Sequence, residues 1–193
     1  SQVTLKRITA VRLDVFKDDR LPKGGPGRAD NGNLHLSEVE MHWFAAGTQT
    51  PVKLNIARTS ADFDQNGWTS AQAIDGDLQS GWAIHPRVNE SHFIAFEFAE
   101  PIDAKDGGRL AMTLKQLYPP KHIIGRFRLS ITDAEGIVAQ VLPEELQNVL
   151  RKPADQRTQP EQTAIAAVAL QPYAKQAIAD LPPRAPVSGA SPL

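Results

Sequence analysis

The sequence predicts an antiparallel β-sandwich followed by a short α-helical C-terminal appendage. Three observations carry this. Apolar residues recur at every second position in several short stretches, clusters of Gly, Pro, Asn and Asp separate those stretches, and composition changes near residue 142. Before that point lie 12 of the 13 Gly and nearly all the aromatics; after it come Ala, Gln, Glu and Leu, with eight of the 15 Pro. Period-2 patterning without an intervening helical period indicates paired strands rather than βαβ units.

Ile8 to Phe16 sets Ile8, Ala10, Val11, Leu13 and Val15 against Thr9, Arg12 and Asp14, as in a half-buried strand. Leu34 to Phe44 repeats the pattern, but its phase shifts between Leu36 and Val39, which predicts a bulge or a change of register. Val52 to Phe63, Phe93 to Phe98, Leu110 to Leu117 and Ile123 to Thr132 are further strands. In the last, Phe127, Leu129 and Ile131 share one face while Arg126, Arg128 and Ser130 share the other. Two long connections, Lys17 to Asn33 and Asp64 to His92, hold enough fixed turn residues to be ordered, and connections of that length are commonly functional.

The tail begins at Pro143-Glu144-Glu145, where proline in the first turn and adjacent acids start a helix. A second start lies at Thr158 or Gln159, ahead of Pro160-Glu161, and a third at Pro172-Tyr173. The organisation expected is therefore a β-sandwich over 1–142, a helical appendage over 143–181 and a Pro/Ser-rich linker over 182–193.

Composition narrows the chemistry. The 193 residues contain no Cys, which removes disulfides, thiolate nucleophiles and zinc-thiolate knots. Net charge is −1; subtracting the tail's five Lys+Arg and five Asp+Glu from totals of 21 and 22 leaves 16 against 17 in the body. Neither part is a polybasic arm, so nucleic acid is not an expected partner. No stretch of 18 apolar residues exists, so membrane insertion is not expected either. Ser1-Gln2-Val3-Thr4 has no basic-then-apolar leader pattern, which suggests a mature protein or a piece of a longer one.

Ala73-Ile74-Asp75-Gly76-Asp77-Leu78-Gln79-Ser80-Gly81-Trp82 places two carboxylates two residues apart and a hydroxyl five residues after the first. Such a turn suits a hard cation, because Ca²⁺ takes six to eight oxygen ligands. Asp-Gly-Asp is equally an ordinary turn sequence.

Together with Ser60-Ala61-Asp62-Phe63, Gly67-Trp68 and Ala71-Gln72, this stretch resembles the coagulation-factor type C, or discoidin, domains of the galactose-binding-like fold. The resemblance implies a jelly-roll sandwich and a structural calcium site at Asp75, Asp77 and Ser80. Ser37-Glu38-Val39-Glu40 is similar to the family strand whose first acid, here Glu38, completes the calcium shell; here it precedes the Asp-Gly turn, as in a circular permutation. Residues 24–38, 81–83, 92–97 and 122–130, in that order, look like a discoidin-like module of large planctomycete multidomain proteins that also carry cytochrome c-type domains. That likeness implies an exported, periplasmic or cell-envelope setting, other domains of a parent protein as partners, and carbohydrate binding.

Loop residues suited to a glycan are Trp68 and Tyr118 for ring stacking and His85, Arg87 and Asn89 for hydrogen bonds, with Arg28 and Asn31 able to meet an anion. Trp68 serves equally as a loop anchor, and His85 as part of a solvated loop. Trp82 and Trp43 are expected in the core, and His92 and His122 in scaffold hydrogen bonds. No Gly-x-Ser-x-Gly or His-Glu-x-x-His is present. The expectation is a non-catalytic module that binds a glycan or polysaccharide; the alternative is a module that docks neighbouring domains.

Overall fold

The computed structural model describes residues 5–134, 149 and 152–167. The chain divides into two compact units, Ser1–Val141 and Leu142–Leu193. The described residues of the first unit form nine strands: β1 (Arg7–Phe16), β2 (His35–Leu36), β3 (Glu38–Ala45), β4 (Val52–Lys53), β5 (Ile56–Ala61), β6 (Trp82–Ala83), β7 (His92–Asp103), β8 (Gly108–Lys115) and β9 (Arg126–Thr132). They form a four-stranded sheet in the order β5-β7-β1-β9, a three-stranded sheet β4-β3-β8 and a small ribbon β2-β6. Among the described residues every strand pairing is antiparallel, and the described part of this unit is built of strands and short 3-10 turns, consistent with an all-β fold.

Alternation explains the core. Val11, Leu13 and Val15 of β1 and Ile94, Phe96 and Phe98 of β7 join Val39 and Met41 of β3 in one apolar cluster, so residues of both larger sheets are buried together. Burying one such side chain fully contributes about 1.5–3 kcal/mol. Thr9 interrupts the alternation because the β1–β7 register shifts between Ile8 and Ala10. Its hydroxyl lies 2.6 Å from the Ala134 carbonyl and 3.1 Å from that of Thr132, which satisfies an otherwise buried polar group.

The phase shift between Leu36 and Val39 marks a change of partner. β2 pairs with β6, the chain turns at Ser37, and β3 then pairs with β8. The single strand expected over Val52 to Phe63 is likewise two: β4 pairs with β3, and after Leu54 and Asn55 the chain crosses to pair β5 with β7. The apolar face of β9 is on the core side, with Phe127, Leu129 and Ile131 opposite Val15, Leu13 and Val11. Phe127 and Leu129 are nevertheless about half exposed, since β9 is the last strand in its sheet's order.

In the second unit, residues 159–167 are helical. The Thr158 backbone N–H donates to Glu161 Oε2 at 2.8 Å, half of a capping box at the start expected there. The helix starts at Pro143 and Pro172 and the linker over 182–193 lie outside the described residues. Among the described residues, no helix is long and apolar enough to cross a membrane.

Candidate functional site

A cavity lies beside the β2–β6 ribbon. His35 and Leu36 pair with Ala83 and Trp82, and the His35 N–H also donates to the His122 carbonyl at 2.9 Å. This brings three separate loops to one place. A turn at Gly67 brings Trp68 back to Gln65, with the Trp68 N–H donating to the Gln65 carbonyl at 2.8 Å. The Gly-rich loop lies close because Gly27 touches the backbone at Asn33; a Cβ on Gly27 would overlap the Asn33 carbonyl oxygen.

Rings form one side of the cavity. Trp68 stands edge-on to His35, with centroids 4.8 Å apart, and to Tyr118 at 5.4 Å; Tyr118 is edge-on to His122 at 5.0 Å. His35 lies tilted against Tyr118 at 4.9 Å. These are the offset and edge-to-face arrangements that aromatic quadrupoles favour.

Amides form the other side. Asn33 and Gln65 are joined by a 3.1 Å hydrogen bond, and both grip the following loop: Ile84 N–H donates to Asn33 Oδ1 at 3.1 Å and His85 N–H to Gln65 Oε1 at 2.9 Å. Asn31 Oδ1 accepts the Asn33 N–H at 3.0 Å. The NH₂ groups of Asn31 and Gln65 have no protein partner among the described residues. With His85 these groups line a cavity of about 220 Å³.

His35 is the anomalous member. Its Nδ1 meets the Ser37 hydroxyl at 3.2 Å, and that hydroxyl already accepts the Leu117 N–H at 3.1 Å. Its Nε2 is buried without a hydrogen-bond partner among the described residues. Burial, assisted by His122, lowers the His35 pKa to about 4, so the ring is neutral at physiological pH. Gly81, at φ +155°, lets the ring fit, because a Cβ there would sit 2.9 Å from Nε2.

Trp68, His85 and Tyr118 therefore share a cavity, whereas Arg87, Asn89 and Arg28 lie elsewhere. Arg87 is paired with Glu90, its guanidinium carbon 5.3 Å above the Phe63 ring. Asn89, at φ +65°, donates its backbone N–H to the Gly25 carbonyl at 2.6 Å. Arg28 lines a separate cavity with Arg20 and Arg126. His35, Asn33, Gln65 and His122 are cavity residues that spacing did not single out; their nearness in the sequence to Asn31, Trp68 and Tyr118 was the only signal. Trp82 is fully buried, and its indole N–H donates to the Phe63 carbonyl at 2.9 Å.

The Asp-Gly turn packs against β3. Glu38 Oε2 accepts the Gly76 N–H at 3.0 Å, and Asp75 Oδ1 accepts the Asp77 N–H at 2.8 Å. Asp77 Oδ1 is turned back to the Gln79 N–H at 2.9 Å. Four acceptor oxygens surround Ser80 Oγ: Asp75 Oδ2 at 2.8 Å, Asp75 Oδ1 and the Asp77 carbonyl at 3.0 Å, and the Gln72 carbonyl at 3.4 Å. One hydroxyl proton serves only one of them at a time, so the turn presents excess oxygen lone pairs. Burial raises the Glu38 pKa, and Asp75 adds to the rise against the Gly76 hydrogen bond. Among the described residues, no three or more His, Cys, Asp or Glu side chains are gathered closely enough to hold a metal.

No family model matches the chain, and no curated protein or solved structure matches it.

Proposed function

We propose that this chain is a non-catalytic module that binds a glycan or polysaccharide, built on a jelly-roll sandwich of the galactose-binding-like type. The observation that carries the reading is the joining, in one cavity, of the Trp68, Tyr118 and His35 rings with amide groups of Asn31 and Gln65 that lack partners among the described residues. A sugar offers an apolar C–H face for rings and a rim of hydroxyls for amides, so a site of this composition recognises it by stacking and hydrogen bonding together. Neutral His35 suits uncharged hydroxyls.

Calcium is the proposed structural ion of the Asp-Gly turn. Asp75, Ser80 and the carbonyls of Gln72 and Asp77 supply oxygens, and Glu38 supplies a buried carboxylate whose charge a cation would offset. Asp77 enters this set through its carbonyl, since its carboxylate serves the turn. The exported or envelope setting within a larger protein rests on the motif resemblance.

Affinity electrophoresis of the intact chain through neutral and acidic polysaccharides tests the reading. Retardation that Trp68→Ala removes supports it. Uniform silence, with Trp68→Ala matching wild type, favours instead a module that docks neighbouring domains, a reading to which half-exposed Phe127 and Leu129 on β9 lend support.

A further inference from the structure

A second cavity, of about 390 Å³, is lined by Asp18, Arg20, Leu21, Arg28, Gly125 and Arg126. Three arginines and one aspartate line it, and the aspartate's carboxylate is already engaged. Arg20 holds Asp18 in a fork, Nε to Oδ1 at 2.8 Å and a terminal nitrogen to Oδ2 at 2.6 Å, while the Arg20 N–H also donates to Oδ1 at 3.1 Å. Those side-chain and backbone hydrogen bonds hold the Asp18 pKa well below the usual carboxylate range. Asp18 therefore stays ionised and engaged, leaving the cavity about two positive charges in excess in a chain whose net charge is −1.

Both remaining arginines are fixed by backbone. The Arg28 N–H donates to the Ile123 carbonyl at 2.8 Å beside the Gly27–Ile124 bridge. Arg126 opens β9 opposite Phe16, with its guanidinium carbon 5.4 Å above the Phe16 ring. Neither forms an ion pair among the described residues, whereas the next arginine on that strand, Arg128, is paired with Asp14 at 3.1 Å. Planar guanidiniums present paired N–H groups that match the spacing of oxyanion oxygens.

We infer that this cavity is an anion subsite that binds the carboxylate or sulfate groups of an acidic polysaccharide through Arg28 and Arg126. The inference rests on the glycan reading for its class of partner, but the subsite stands on its own residues.

The test uses the intact chain in about 150 mM salt, where diffuse surface attraction is largely screened. The probes are inorganic sulfate, a polyuronate, a sulfated polysaccharide and neutral dextran. NMR resonances of the Arg28 and Arg126 Nε–H groups should shift with sulfate and with either polyanion and stay unmoved by dextran. Each Arg→Ala change should weaken polyanion binding about tenfold, as expected for losing a charge-assisted hydrogen bond. Trp68→Ala should leave the sulfate-induced shifts intact, so failure of the aromatic pocket and failure of this subsite are told apart. Selective response to one polyanion would identify its group as the ligand. Undisturbed arginine resonances, or an Arg28→Ala/Arg126→Ala variant that binds as wild type, would overturn the subsite. So would an Arg28→Lys/Arg126→Lys variant of undiminished affinity, since that outcome indicates charge alone.

Discussion

The His92 imidazole is clamped between two acceptors: Nδ1 lies 2.8 Å from Asp62 Oδ2 and Nε2 lies 2.7 Å from the Arg87 carbonyl. The protonated ring, with both nitrogens donating, satisfies both acceptors at once, and its side chain is fully buried. Burial opposes that charge, yet the Asp62 and Arg87 hydrogen bonds outweigh it and raise the pKa above the ordinary 6.5. Asp62 is anchored in turn by the Phe93 N–H at 2.8 Å. One buried imidazole thus ties the end of β5 to the start of β7 and to the loop that carries His85.

Because the folded-state pKa is raised, His92 contributes its full stabilisation below pH 6.5 and loses it as pH rises through the folded value. Urea denaturation at a series of pH values should show wild-type stability declining above pH 6.5 relative to His92→Gln, which lacks this titration. At pH 6, His92→Gln and Asp62→Asn should each be less stable by about 1–3 kcal/mol, the cost of leaving a buried polar partner unmatched. Parallel profiles for wild type and His92→Gln would rule out the imidazolium.

Trp68 and Tyr118 are only partly buried, so their removal should affect binding more than folding. Trp68→Ala and Tyr118→Ala should each weaken glycan affinity by about 1.5 kcal/mol, roughly tenfold, with small changes in Tm. Isothermal titration alongside thermal melts separates the two effects. A variant that loses stability and keeps affinity would make its ring a loop anchor.

Glu38 gives the calcium proposal a test with two signs. Without the ion, burial penalises its charge, so Glu38→Gln should match or exceed wild-type Tm in chelator. With calcium at about one hundred times its dissociation constant, wild type should gain about 2.7 kcal/mol and Glu38→Gln much less. Equal melting of wild type with calcium and with EDTA would dismiss the ion.

Gly27 has no room for a methyl group, since its Cβ would fall on the Asn33 carbonyl oxygen and 2.6 Å from the Leu34 nitrogen. Gly27→Ala should cost about 1–3 kcal/mol and shift the amide resonances of Asn33, Leu34 and His35, which line or adjoin the aromatic cavity. Unchanged resonances there would show that the loop relieves the overlap elsewhere.

Strand positions were legible because burial on one face writes a period of two into the sequence. Arg7–Phe16 and Arg126–Thr132 lie where that period runs. The breaks in period were legible as breaks, but their meaning was not. Ser37 and the Leu54-Asn55 pair are points where the chain changes partners, and pairing between distant strands leaves no local mark. The cavity was legible in part for the same reason. Trp68 and Tyr118 stand out as aromatics in polar loops, whereas His35 is drawn in by the Ala83 pairing and the His122 carbonyl, both remote in sequence.

The sequence by itself determined that this is a β-rich body with no cysteine chemistry and no marked charge, ending in a chain of different composition. Local propensity and alternation suffice for that, because they act between near neighbours. Only the tertiary structure decided that Trp68 and Tyr118 share a cavity with His35 while Arg28 joins Arg20 and Arg126 in another. It also decided that a near-neutral chain has a locally basic hollow. Sites are made by long-range pairing, in which the Gly27–Ile124 bridge and the β2–β6 ribbon set residues side by side that the sequence keeps apart.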